Sequence, residues 1–133
     1  MKKFKLPVAL LLLSATCTFT SCSDDDDSKP VEKRTAFVTL VDGGETAAVN
    51  QEVKLNVSFI VDNLCGSFGK FTEVSEATGK SIVVEAKYEG ENCGQAIDTL
   101  VAEYKFKAAT AGSYILKFKK SATESVNHTV VVK

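Results

Sequence analysis

The chain has 133 residues, with 16 Lys and Arg against 17 Asp and Glu, four Cys, one His and no Trp. That length supports one hydrophobic core of ordinary size. A net charge of −1 lacks the basic excess of nucleic-acid binders, and 44% hydrophobic against 25% charged residues excludes a wholly disordered chain.

The first thirty residues differ from the rest. Lys2, Lys3 and Lys5 precede an apolar run from Leu6 to Leu13, broken only by Pro7, and small or hydroxylated residues then lead to a Cys. This is secretory-signal architecture. The strongly apolar run is about half of the ~20 residues that a membrane-spanning helix needs. Two cysteines compete to end the signal, Cys17 after Thr16 and Cys22 after Ser21. A lipoprotein signal peptidase requires a small residue before the Cys, which favours Cys22 as the lipidation site. Residues 1–21 are then the signal peptide, 22–31 the lipidated Cys and a disordered acidic tether, and 32–133 the folded domain.

The tether begins Cys22-Ser23-Asp24-Asp25-Asp26-Asp27. This string resembles the surface-export tether of Bacteroidetes lipoproteins. The resemblance implies a lipid anchor in the outer membrane and exposure at the cell surface. Cleavage before Cys22 leaves 112 residues and removes three Lys and no acid, so the charge falls from −1 to −4. From Ser28 onward 13 basic residues balance 13 acidic ones. A neutral body gives no reason to expect electrostatic capture of polyanions, nucleic acid included.

After Pro30 the hydrophobic pattern has period two, which predicts seven strands. Strand A covers about Arg34–Val41 and ends at the turn residues Asp42-Gly43-Gly44. Strand B, about Glu52–Val61, turns Val53, Leu55, Val57, Phe59 and Val61 to one face. Strand C is about Phe68–Ser75, with either Phe68 or Phe71 inward, and Thr78-Gly79-Lys80 turns into strand D, about Ser81–Glu89. Strands E (Leu100–Ala108), F (Ser113–Lys119) and G (Asn127–Val132) follow. No window sustains apolar residues at helical spacing. Seven short strands with one apolar face each predict an all-β, antiparallel, immunoglobulin-like β-sandwich, with a small barrel as the alternative.

The stretch from Tyr104 to Phe118 resembles the passage from strand E to strand F in immunoglobulin-like domains, where Gly-x-Tyr opens strand F. The resemblance gives Gly112 and Tyr114 structural roles, with the Tyr114 hydroxyl bonding back across the corner.

With Cys17 removed and Cys22 lipidated, Cys65 and Cys93 remain, and two thiols in an exported protein predict one disulfide. An up-and-down trace puts loops B–C and D–E, which hold them, at the same end. Loop-closure entropy over 28 residues corresponds to about 3.5 kcal/mol. Free thiols and a metal site are the alternatives, the latter without a nearby His or further Cys. Cys65-Gly66-Ser67-Phe68, Tyr88-Glu89-Gly90 before Cys93, and Gly112-Ser113-Tyr114-Ile115-Leu116-Lys117-Phe118 together resemble a group of small Bacteroidetes cell-surface lipoproteins. The likeness covers roughly residues 53–132, and it implies fold and location but no activity. Members of that group often carry a further Cys near Gly90, where Glu91 and Asn92 stand here.

Chemistry is thin elsewhere. His128, the only His, is expected on strand G with Val130 and Val132 on its face, and no nucleophile motif accompanies it. Asp62, Asn63 and Glu89 to Asn92 carry oxygen ligands without a Ca²⁺-loop spacing and read as solvated turns. Without Trp, and with Tyr88, Tyr104 and Tyr114 on core faces, a flat aromatic glycan platform is missing. No cofactor or catalytic residue is expected.

The expectation is therefore a non-catalytic, surface-anchored binding or adhesion module for a protein or glycan. The alternative is an accessory subunit that holds an envelope protein by strand addition; a protease inhibitor ranks lower, its motif loops being absent. The trace puts loops B–C, D–E and F–G at the end where strand A begins. Loops A–B (Asp42–Gln51), C–D (Glu76–Lys80) and E–F (Ala109–Gly112) then face away from the membrane.

Overall fold

The computed structural model describes residues 29–133. Cys17, Cys22 and the tether residues Ser23 and Asp24 to Asp27 lie outside the described residues. No helix of the described part is long and apolar enough to cross a membrane.

Nine strands make up the described chain: β1 (Glu32–Ala36), β2 (Val38–Gly43), β3 (Thr46–Ala47), β4 (Val53–Val61), β5 (Gly66–Glu76), β6 (Gly79–Tyr88), β7 (Asp98–Phe106), β8 (Gly112–Lys119) and β9 (Ser125–Val132). They form a β-sandwich of two sheets. The smaller has the order β2-β4-β7; in the larger, β5 and β6 pair, β6 continues to β1 and β8, and β8 leads on to β9 and β3.

Strands B to G of the sequence pattern correspond to β4 to β9, but strand A is two strands. β1 pairs with β6 in one sheet and β2 with β4 in the other, and the chain changes sheets at Phe37. Ala36 and Val38 on either side are both buried in the shared core, while Phe37 is exposed. β2 then carries a bulge between Val38 and Leu40 that shifts its alternation by one residue. Leu40 faces solvent and Val41 packs on the core. β3 is an addition of two residues, paired parallel to β9.

The sandwich is also not wholly antiparallel. β6 and β8 run parallel from Gly79↔Ile115 to Ile82↔Phe118. Because β7 lies in the opposite sheet, β6 and β8 point the same way when they meet. Along the same edge of β6, β8 covers Gly79 to Ile82 and β1 covers Val84 to Tyr88. A fork therefore opens at Val83. It also corrects the placing of loop F–G, since Lys119 stands abreast of Val83 and the following turn leaves the sheet halfway along β6.

The choice between Phe68 and Phe71 is resolved by a second bulge, between Phe68 and Lys70. Three residues apart, they would occupy opposite faces of a regular strand; the extra residue, Gly69, turns both inward. Their rings lie 4.8 Å apart and begin a chain of aromatic contacts through Phe71–Tyr104 (5.2 Å) to Tyr104–Phe118 (5.4 Å), which joins the sheets.

Tyr104 is the polar point of this core. Its hydroxyl is buried and faces Glu73 without reaching hydrogen-bond geometry. Burial, then the nearby carboxylate, pushes its ionisation well above the usual tyrosine range. Burial opposes the charge on Glu73 too, yet Lys80 Nζ at 2.6 Å and the Tyr104 hydroxyl outweigh it and hold that carboxyl below the usual range. The stabilisation is present above the ordinary carboxylate range and disappears as pH falls through the lowered value.

Candidate functional site

The two ends of the sandwich are built differently, and each brings together residues distant in sequence. At one end β4 hands over to β5 and β6 to β7. Cys65 and Cys93 are disulfide-bonded there, with Cα atoms 5.4 Å apart, a separation usual for such bridges. Asn63 Oδ1 accepts from the Cys65 amide at 3.0 Å, an Asx turn that presents the cysteine. The Glu89 amide donates to the Cys65 carbonyl at 3.3 Å, and the Leu64 amide to the Gly94 carbonyl at 2.9 Å, so the two loops form one unit. Gly90 (φ 126°) and Asn92 (φ 58°) supply the left-handed backbone that turns Cys93 inward.

β1 begins at this same end, with Glu32 opposite Tyr88. The Arg34 guanidinium lies 4.8 Å above the centre of the Tyr88 ring and bonds to Glu32 at 2.7 Å and Asp62 at 3.3 Å. That hydrogen bond holds the Glu32 carboxyl below the usual range. The Tyr88 hydroxyl accepts from the Asp62 amide at 3.0 Å. Asp62 and Asn63 are thus engaged with Arg34 and the Cys65 turn. Among the described residues no group of three or more His, Cys, Asp or Glu is placed to hold a metal ion.

The opposite end gathers loops A–B, C–D and E–F. The Asn50 amide donates to the Ala108 carbonyl at 2.8 Å, which ties A–B to E–F, and the Ile115 amide donates to the Thr78 carbonyl at 2.9 Å, which ties C–D to the start of β8. Asn50 takes a left-handed φ of 63°, and Gln51 Oε1 caps the Ala48 amide at 2.8 Å. Between C–D and E–F lies a depression of about 260 Å³. Phe106, Ala108 and Tyr114 form its apolar floor, while Glu76, Lys80 and Lys107 stand on its rim. The arrangement suits an apolar group flanked by polar contacts.

Gly112 and Tyr114 occupy the expected corner. The Tyr114 hydroxyl donates to the Thr110 carbonyl at 2.8 Å and lies 2.7 Å from Thr110 Oγ1, with its ring 5.4 Å from Phe106. Tyr114→Phe is expected to cost about 1 kcal/mol, the worth of one such hydrogen bond, measured by urea unfolding. His128 is half-buried on β9 beside Val130 and Val132, and its Nε2 lies 3.0 Å from the Gly44 carbonyl, which it donates to. That bond ties β9 to the turn after β2.

Two features escaped the sequence. The 260 Å³ depression depends on C–D and E–F lying side by side, a consequence of β6 and β8 pairing in parallel. The fork at Val83 depends on two strands sharing one edge. Neither leaves a periodic signal. Compared with family models, curated proteins and solved structures, the chain matches none.

Proposed function

We propose that the protein is a non-catalytic lipoprotein, anchored through Cys22 at the outer membrane and displayed at the cell surface, that binds a protein or glycan through loops A–B, C–D and E–F. The observation that carries this reading is the polarity of the domain. The chain enters at the disulfide end, where Glu32 pairs with Tyr88, and the three joined loops lie at the far end. A tether of about nine residues, up to roughly 30 Å long, presents that far end outward. The fold reads as a variant immunoglobulin-like sandwich of the small Bacteroidetes lipoprotein type. β2-β4-β7 follow the A-B-E order and β8-β9 the F–G pairing, but β6, the D strand, joins the other sheet.

A second role, strand addition to an envelope partner, is favoured by β5. This 11-residue strand pairs on one side only, with β6, and every residue from Thr72 to Glu76 is exposed. Capture from intact membranes separates the roles. Replacing loop A–B or C–D with a Gly-Ser stretch is expected to abolish capture of the surface ligand. Retained capture with both loops replaced contradicts loop binding and supports an accessory subunit. Cys22→Ala serves as the unanchored control.

A further inference from the structure

Lysines are distributed unevenly over the two outer faces of the sandwich. On the smaller sheet both Lys are paired, Lys54 with Glu103 at 3.4 Å and Lys105 with Glu52 at 3.7 Å. On the larger sheet Ile82, Val84, Ala86, Leu116 and Phe118 face the core, so Lys87 of β6 and Lys117 and Lys119 of β8 face out. The registers add Lys33 of β1, opposite Lys87, and Lys70 of β5, opposite Glu85. Five Lys from four strands share this face with two acids. Glu76 is bound by Lys117 at 2.8 Å, and Glu85 lies 4.0 Å from Lys33. Among the described residues Lys70, Lys87 and Lys119 have no carboxylate within 4.0 Å.

Such an array is costly by itself. Lys33 and Lys87 are direct cross-strand partners, a like-charge pair that destabilises a sheet. Neighbouring strands are about 4.8 Å apart, so the ammonium groups repel unless an anion lies between them. The fork at Val83 gives the array a concave centre, a depression of about 390 Å³ lined by Lys33, Arg34, Thr35, Thr72, Val83, Glu85 and Lys119.

We propose that this face binds a linear polysaccharide bearing carboxylate or sulfate groups. Cations spread over four strands fit a polymer with repeated charge better than one small anion. Thr35 and Thr72 supply hydroxyls for sugar hydroxyl groups. The outward strand positions hold no aromatic ring for stacking nucleobases, and Arg34, which lines the depression, is already bonded to Glu32 and Asp62 rather than free to grip a phosphate. The face is separate from the loop end, so the two bindings fail independently.

The test is titration of the full mature chain with dextran sulfate and with polygalacturonate, which distinguish sulfate from carboxylate. At least one polymer is expected to bind, with affinity falling as salt rises. Lys87→Gln/Lys119→Gln should weaken binding about tenfold, whereas Lys54→Gln/Lys105→Gln, equal in charge, should change it less than about twofold. Loop replacements should leave it intact. The proposal is overturned by binding of neither polymer, by equal loss in both double variants, or by tighter binding of duplex DNA or phosphatidylglycerol vesicles.

Discussion

Gly79→Ala is expected to destabilise the domain by about 3 kcal/mol, as overpacking against a rigid neighbour does. A Cβ at this position falls on the Ile115 carbonyl, with the Ile115 amide close behind it. Gly79 opens β6 opposite Ile115 in the parallel pairing with β8, and the Ile115 amide also holds the Thr78 carbonyl. Backbone, unlike a side-chain tip, has no rotamer through which to yield. The added methyl therefore parts β6 from β8 and separates loops C–D and E–F. Gly94→Ala is the control, because its Cβ would meet only the side chain of Leu64, which is largely exposed and free to turn. Urea unfolding should show a large drop in midpoint for the first and less than about 1 kcal/mol for the second.

The Cys65→Ser/Cys93→Ser variant is expected to lose about 3.5 kcal/mol, mainly through the freedom regained by the unfolded 28-residue loop. Beyond this global loss, local opening should increase at one end. Gly90 sits against Cys65 Sγ, and the hydrogen bonds from Leu64 to Gly94 and from Glu89 to Cys65 depend on the two loops staying together. Hydrogen exchange should speed up more at the Leu64 and Glu89 amides than at Asn50 and Ile115, at the far end. Reducing the unsubstituted protein should reproduce both effects. Equal acceleration at both ends would mean that the bridge supports the whole fold rather than one pair of loops.

Most of the secondary structure was legible because β4 and β6 to β9 each bury one face, and burial of alternate residues writes itself into the sequence as period two. Val53 to Val61 is the clearest case, with five inward residues all buried. The disulfide was legible for a different reason: Cys65 and Cys93 are the two cysteines that fall within the strand pattern, and the strand count puts them at one end. What escaped were departures from the period and from the order of strands. Strand A reads as continuous because Ala36 and Val38 are both apolar, although they belong to different sheets. Phe68 and Phe71 were ambiguous because the bulge at Gly69 changes which face is counted. The parallel partnership of β6 and β8 arises from β7 crossing to the other sheet, which no local pattern encodes.

The distribution of charge is hidden from the sequence for a related reason. A balance of 13 against 13 describes the domain as neutral, and the sum is correct. It conceals that the outer face of the larger sheet gathers five Lys with two acids, while Glu32, Asp62, Glu89, Glu91 and Asp98 cluster toward the disulfide end. Segregation of this kind depends on which strands become neighbours, so it emerges only with the pairing. The loop end was legible as to which loops belong together, and its depression was not, because Tyr114 and Phe106 form its floor only once Gly112 has turned the corner.

In the proposed function the domain is lipid-anchored and its C–D end points away from the cell. The most direct test is labelling of Ala77→Cys, at the exposed turn between β5 and β6, with a membrane-impermeant maleimide on intact outer-membrane-bearing bacteria. Labelling of intact cells is predicted, together with release of the protein from the membrane fraction when Cys22→Ala is added. Labelling that appears only after the cells are lysed would contradict the account.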